Sequence, residues 1–241
     1  MSFVYKKQKH CEFGEDSYGD NWDHTAIDSE SRLLLSLVPG KRTDENCFKV
    51  VKDVKKRTGK RTNILVSTDE HSGYAKAIKE EYGKEVTQPK HSDFDESQKS
   101  EKVMPEDLCY VTVRKTRKSG RVVEVVRTIV FGSLLLLWVL LSQSLASNTI
   151  NTSFVERNNG TERAKNSRKC RKTYCFSKDK DVHNAASYFT GFSYNFCWPV
   201  RTLRLESADG HWQKRTPAMA AGLSSHVWTI EEWISYPSKK S

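Results

Sequence analysis

The sequence predicts an α/β fold: a mixed sheet with helices packed against it. Three observations carry this. A β-hairpin signal opens the chain and a strand–helix–strand–helix order follows. Further strand-like runs then lead to a basic helix and an aromatic-rich helix.

Each element has a local reason. Trp22–Asp28 alternates in polarity and meets a turn at Ser29–Arg32; Leu33–Val38 is an apolar strand ended by Pro39-Gly40. Thr43 to Asn46 caps a helix on which Cys47, Val50, Val51 and Val54 fall at helical spacing, with Gly59 closing it. Ile64–Ser67 is a short apolar strand running into Thr68-Asp69-Glu70, and a second helix from about Gly73 to Tyr82 carries Tyr74, Ala77, Ile78 and Tyr82 on one side. Residues 84–104 are polar and charge-rich and are expected to form a loop or insertion. Leu108–Arg114 and Arg121–Arg127 are strands rich in β-branched residues. A helix is expected from about Ser153, and His183–Pro199, with its run of aromatics, is expected to be a buried helix.

The 241 residues carry 40 Lys+Arg against 30 Asp+Glu, a formal net charge of +10, with 37% hydrophobic and 10% aromatic residues. That composition is too apolar for a disordered chain and too polar for a multi-span membrane protein. The surplus of positive charge points to a polyanionic partner, nucleic acid above all. Its location sharpens this: residues 151–215 hold 13 Lys+Arg and 6 Asp+Glu. The six cysteines form no C-x-x-C pair and no zinc spacing, as expected of reduced residues in a cytoplasmic protein, and no signal-like apolar stretch follows Met1.

Residues 129–146 are uncharged, but their apolar run breaks at Ser142 after 13 residues. A span needs about 20, so the run is expected to be a core helix; a single-pass membrane protein with basic flanks is the competing reading.

Asp69 sits at the C-terminal end of an apolar strand, where side chains of α/β sheets face the ligand crevice. Glu156 opens the basic helix, and Arg163, two turns on, shares its face. A carboxylate and a guanidinium on one face suit a metal site that also holds a phosphate. By spacing alone, an Asp in the place of Asp69 is usually a turn residue and a Glu in the place of Glu156 usually complements the helix dipole.

The surrounding words add a resemblance. Asn151-Thr152-Ser153-Phe154-Val155-Glu156-Arg157-Asn158-Asn159-Gly160-Thr161 resembles the third-acid block of bacterial insertion-sequence transposases with a DDE triad, most of all the insertion-sequence-one family. Trp22–Arg32, Ser67-Thr68-Asp69 with Tyr74, Tyr194–Pro199 and Arg215–Leu223 are similar to that family's other blocks, in the same order, over about residues 2–234. The resemblance implies a ribonuclease-H-like catalytic domain over 1–234, with 235–241 a tail. It implies DNA transposition by cleavage and strand transfer at transposon ends, with two Mg2+ ions (Mn2+ substituting) and a homo-oligomer on DNA in the bacterial nucleoid. Asp69 would be the second acid, Glu156 the third and Arg163 the basic residue of the third-acid helix; Asp69 and Glu156 would ligate metal. Arg157, Arg163, Lys165, Arg168, Lys169, Arg171 and Lys172 would meet DNA. The family's first acid lies just ahead of a stretch matched here by Met1-Ser2-Phe3-Val4, so it would fall upstream of residue 1. Asp28 is expected to serve its turn, and Asp16, Asp20 and Asp23 to lie in a polar loop. A catalytically dead DNA-binding remnant is therefore the alternative to an active transposase.

Overall fold

The chain divides into two compact units: Met1–Arg42 with Ser153–Ser241 (unit 1), and Thr43–Thr152 (unit 2). The structure is a computed structural model and describes residues 2–87, 100–170 and 172–237.

Unit 1 begins with an antiparallel sheet of β1 (Ser2–Val4), β2 (Gly19–Ile27) and β3 (Leu34–Gly40), in that spatial order. The expected hairpin is β2–β3, in register from Trp22↔Gly40 to Ile27↔Leu34. Asp28 serves the turn as expected: its carboxylate accepts the Ser31 N–H at 2.8 Å. Two expectations are corrected. Pro39-Gly40 continues β3 instead of ending it, because β3 is an edge strand and the missing proline N–H costs no ladder bond. Asp20 and Asp23 lie within β2, not in a polar loop.

Unit 2 holds α1 (Asp44–Arg57), β4 (Leu65–Thr68), α2 (Ser72–Tyr82), β5 (Lys84–Thr87), β6 (Ser100–Val103), β7 (Cys109–Lys118), β8 (Arg121–Phe131) and α3 (Leu134–Gln143). Its main sheet runs β4-β7-β8, parallel between the first two and antiparallel between the last two. The period-two alternation of β7 divides the core. Leu108 and Tyr110 pack with Cys47 and Val51 of α1 and with Ala77, Ile78 and Tyr82 of α2. Cys109, Val111 and Val113 pack with Leu137 of α3 and with Ile150. Thr43 caps α1, its hydroxyl accepting from Asn46 N–H.

The charged stretch 84–104 is not loop throughout: β5 and β6 pair as an antiparallel ribbon, while 88–99 lie outside the described residues. The apolar run 129–146 is only partly helix. Ile129–Phe131 finish β8, and Gly132, at φ +93° and against the Leu108 carbonyl, breaks the chain before α3. Ten residues of α3 reach about 15 Å, half a bilayer core, and no described helix is long and apolar enough to cross a membrane. One face of α3 is core; Leu134, Leu135 and Trp138 remain exposed.

The chain then returns to unit 1 as α4 (Ser153–Lys165), α5 (Lys180–Cys197), a two-stranded ribbon of β9 (Leu205–Glu206) and β10 (Trp212–Gln213), α6 (Pro217–Ala220) and α7 (Ile230–Ser235). The aromatics of α5 are not all core as expected: Tyr188 and Phe189 are exposed, and small or polar residues such as His183, Ser187 and Asn195 are buried instead. The Asn195 amide explains one of them. It accepts Leu34 N–H at 2.8 Å and donates to Leu34 C=O at 3.0 Å, pairing α5 to the start of β3 as a second strand would.

Candidate functional site

The two expected acids lie in different units. Asp69 of unit 2 follows β4 directly and is exposed. Its carboxylate accepts the His71 N–H at 3.3 Å, an Asx-type turn at the start of α2. Behind it Thr68 donates to the Asp69 carbonyl at 2.7 Å and meets the buried Tyr110 hydroxyl at 2.8 Å. His71 Nδ1 accepts from Gly73 N–H at 3.2 Å and so caps α2. Glu70 reaches Arg114 of β7 at 3.8 Å. The β4–α2 corner is thus a well-braced turn on which Asp69 and Glu70 are both exposed.

Glu156 of unit 1 stands exposed in the first turn of α4, where a negative charge complements the helix dipole. Arg163 is half-buried two turns on. Arg157 is exposed beside Glu156, and Lys172 is exposed beyond the helix. Lys165 is committed: its ammonium lies 2.9 Å from the centre of the Trp198 ring, and partial burial lowers its pKa. Arg168 lines an open cavity of about 450 Å3 with Ser167, Phe176, Lys178 and Asp179. Arg171 lies outside the described residues.

Lys169 departs from its expected place on the DNA-facing surface. It is 4% exposed and points inward, its ammonium 3.0 Å from Asp23 Oδ1 of β2 and 2.9 Å from Glu162 Oε2 of α4. Sequence reading missed this trio. The overlooked signal is the four-residue spacing of Asn158, Glu162 and Asn166, all buried, which makes the inner face of α4 polar. Burial raises the Glu162 pKa, opposed by Lys169 and reinforced by Asp23. Nearby His183 is fully buried; Ser177 Oγ lies 2.8 Å from its Nδ1 and Ser2 Oγ 3.3 Å from its Nε2. Burial holds its pKa below the ordinary histidine value.

A centre for two Mg2+ ions takes several hard oxygen ligands around each ion. Among the described residues no group of three or more His, Cys, Asp and Glu side chains is placed to hold a metal ion. The carboxylates described therefore do not fit a complete centre. The chain matches no protein-family model, no curated protein and no solved structure.

Proposed function

We propose that this chain is a DNA-binding member of the DDE transposase class, with a ribonuclease-H-like ancestry, that does not cleave DNA by itself. The observation that supports it is the cationic outer side of α4 and the turn after it. Arg157 is exposed and Arg163 half-buried on α4, Arg168 half-buried and Lys172 exposed after it, and Arg168 and Lys178 line one cavity. A duplex backbone is the polyanion that such a spread of cations suits, since each phosphate neutralised releases counterions. Lys169 belongs to the interior and is withdrawn from the DNA set.

The reading keeps Asp69 and Glu156 as the second and third acids of the motif order. Metal binding at Mg2+ strength belongs to it only once a further carboxylate completes the set. Transposition, assembly as a homo-oligomer on DNA and a place in the nucleoid follow from the same resemblance.

The test is titration of labelled duplex with the whole chain at several salt concentrations, with and without Mg2+. We expect binding whose logarithm falls linearly with the logarithm of salt, with no strand cleavage in either condition. Arg168→Ala lowers the slope by about one. Absence of salt-sensitive binding refutes the DNA reading. Metal-dependent cleavage abolished in Asp69→Ala and Glu156→Ala refutes the claim of inactivity and restores an active transposase.

A further inference from the structure

The helix carrying Glu156 and Arg163 has an unusual anchor. None of the three apolar clusters contains a residue of α4, and the residues it buries are Asn158 and Glu162. Both polar atoms of the Asn158 amide and Oε1 of Glu162 are buried without a hydrogen-bond partner among the described residues. At the first turn, Phe154 is half-buried under the Arg32 guanidinium, 3.9 Å from its ring centre. Further along, the ammonium of Lys169 grips the inner face of the helix between Glu162 and Asp23.

Packing has been shaped around that grip. Gly191 of α5 faces Glu162: a Cβ there would lie 2.9 Å from Glu162 Oε1 and 2.6 Å from Leu37 Cδ2. The glycine lets α5 close on the carboxylate. Lys169 itself follows α4 in a short 3-10 turn begun by Asn166, whose side chain accepts from Arg168 N–H. The ammonium thus ties the end of α4 to the middle of β2, an element far away in sequence.

A buried ion pair of this kind adds little net stability, because desolvation offsets most of the attraction. What it supplies is direction. The Lys169 ammonium donates a hydrogen bond to Glu162 Oε2 at 2.9 Å and lies 3.0 Å from Asp23 Oδ1 as an ion pair without hydrogen-bond geometry, so a rotation of α4 would carry Glu162 away from the ammonium that holds it. Six residues at about 100° each place Glu156 about 120° around the helix from Glu162, and Arg163 adjoins Glu162 at about 100°. Fixing Glu162 therefore fixes where Glu156 and Arg163 point.

We propose that Lys169, with Asp23 and Glu162, is a positioning clamp that sets the rotation of α4 and so aims the Glu156–Arg163 face. Lys169 does this without touching DNA. The link to DNA rests on the function proposed above; the clamp itself does not.

The experiment compares the full wild-type chain, Lys169→Met, and the charge-free Asp23→Asn/Glu162→Gln/Lys169→Met. Amide hydrogen exchange is read along α4, with α1 and α2 as internal reference; thermal midpoint and duplex binding against salt are read alongside. Lys169→Met leaves two buried carboxylates facing each other. We expect α4 amides to exchange about tenfold faster or more, with α1 and α2 unchanged. We expect duplex affinity to drop about tenfold with an unaltered salt slope, because no phosphate contact is lost. The charge-free variant recovers the midpoint, since no charge is stranded, yet α4 stays fast-exchanging and the affinity stays low.

Recovery of α4 protection together with the midpoint overturns the clamp and makes the trio a tolerated burial. Unchanged α4 exchange in Lys169→Met with a salt slope lower by about one overturns it too, making Lys169 a phosphate contact. Should Lys169→Met not fold, the charge-free variant decides alone: wild-type α4 protection refutes the clamp, and faster exchange supports it. Should the wild type bind no DNA, the function reading fails while the exchange comparison still decides the clamp.

Discussion

Unit 2 and unit 1 solve the same problem with different chemistry. In unit 2 the sheet is clad by side chains such as Val51, Ile78, Leu108 and Val111, and among the described residues, phenols aside, Asn46 is the one polar side chain buried there. In unit 1 the apolar cluster is Leu34, Leu37 and Tyr194, and the interior is otherwise filled by groups such as Asn158, Glu162, Lys169, Ser177, His183 and Asn195. Apolar burial is strong and indifferent to direction; polar burial is weak in net energy, directional, and costly when one partner is lost. Unit 2 is therefore expected to answer to volume and unit 1 to charge and pH. Phenols do not divide the units: burial pushes Tyr194 of unit 1 up to about 12 and also raises Tyr82 and Tyr110 of unit 2.

The largest effect expected is on volume in unit 2. Ile78 is 1% exposed between α1 and the sheet. Ile78→Ala removes three methyl-sized groups and leaves a cavity, costing about 2–5 kcal/mol in denaturant unfolding. The loss is the same at acid and neutral pH, because the phenols of that cluster, Tyr82 and Tyr110, are pushed up by burial and stay protonated across that range. A loss that changed with pH would break the comparison on its apolar side.

Next comes a directional bond in unit 1. Asn195→Ala strips partners from both Leu34 N–H and Leu34 C=O, buried polar groups that α5 otherwise satisfies. A cost of about 1–3 kcal/mol is expected, although the volume lost is small. Asn195→Leu, which restores volume without the amide, fails to recover it. Recovery by leucine would mean that unit 1 is held by bulk after all.

These two sites also show what could be read from the chain beforehand. The helix of Cys47, Val50, Val51 and Val54, the β2–β3 hairpin and the strand before Asp69 were legible, because apolar periodicity and capping residues act locally. Unit 1's interior was not. A buried polar group is specified by a partner far away in sequence, as Asn195 is by Leu34 and Lys169 by Asp23, and nothing local marks either one. The same limit governed the site. Asp69 and Glu156 come from motif words, and the structure places each exposed at the end or start of an element, in different units. Lys169, counted among surface cations by composition, needed the fold to turn it inward.

The pH behaviour sharpens the contrast in both directions. His183 is buried with its pKa held down, so the folded state resists the proton that the unfolded chain accepts near about 6.5. Unit 1 therefore loses stability as pH falls below that value. Glu162, its pKa raised by burial, works oppositely: its contribution is full below about 4.3 and declines as pH climbs through the raised value. Replacing His183 with Gln flattens the acid limb of the thermal midpoint, and Glu162→Gln flattens the rising limb. Acid loss of protection in unit 2 equal to that in unit 1 would remove the distinction.

The smallest effects expected are at helix caps, where the two units should agree. Thr43 accepts the Asn46 N–H at the start of α1 in unit 2, and Asp179 accepts the Val182 N–H at 2.8 Å at the start of α5 in unit 1. A cap satisfies an orphan donor in the first helical turn, and its worth depends on that turn, not on the core behind it. Thr43→Ala and Asp179→Ala should each cost about 1 kcal/mol, read as faster exchange in the first turn of the helix concerned. Equal losses locate the difference between the units in their interiors. If Asp179→Ala cost several times more than Thr43→Ala, the fragility of unit 1 would extend to its helix ends, and the buried ions and amides could not be its sole source.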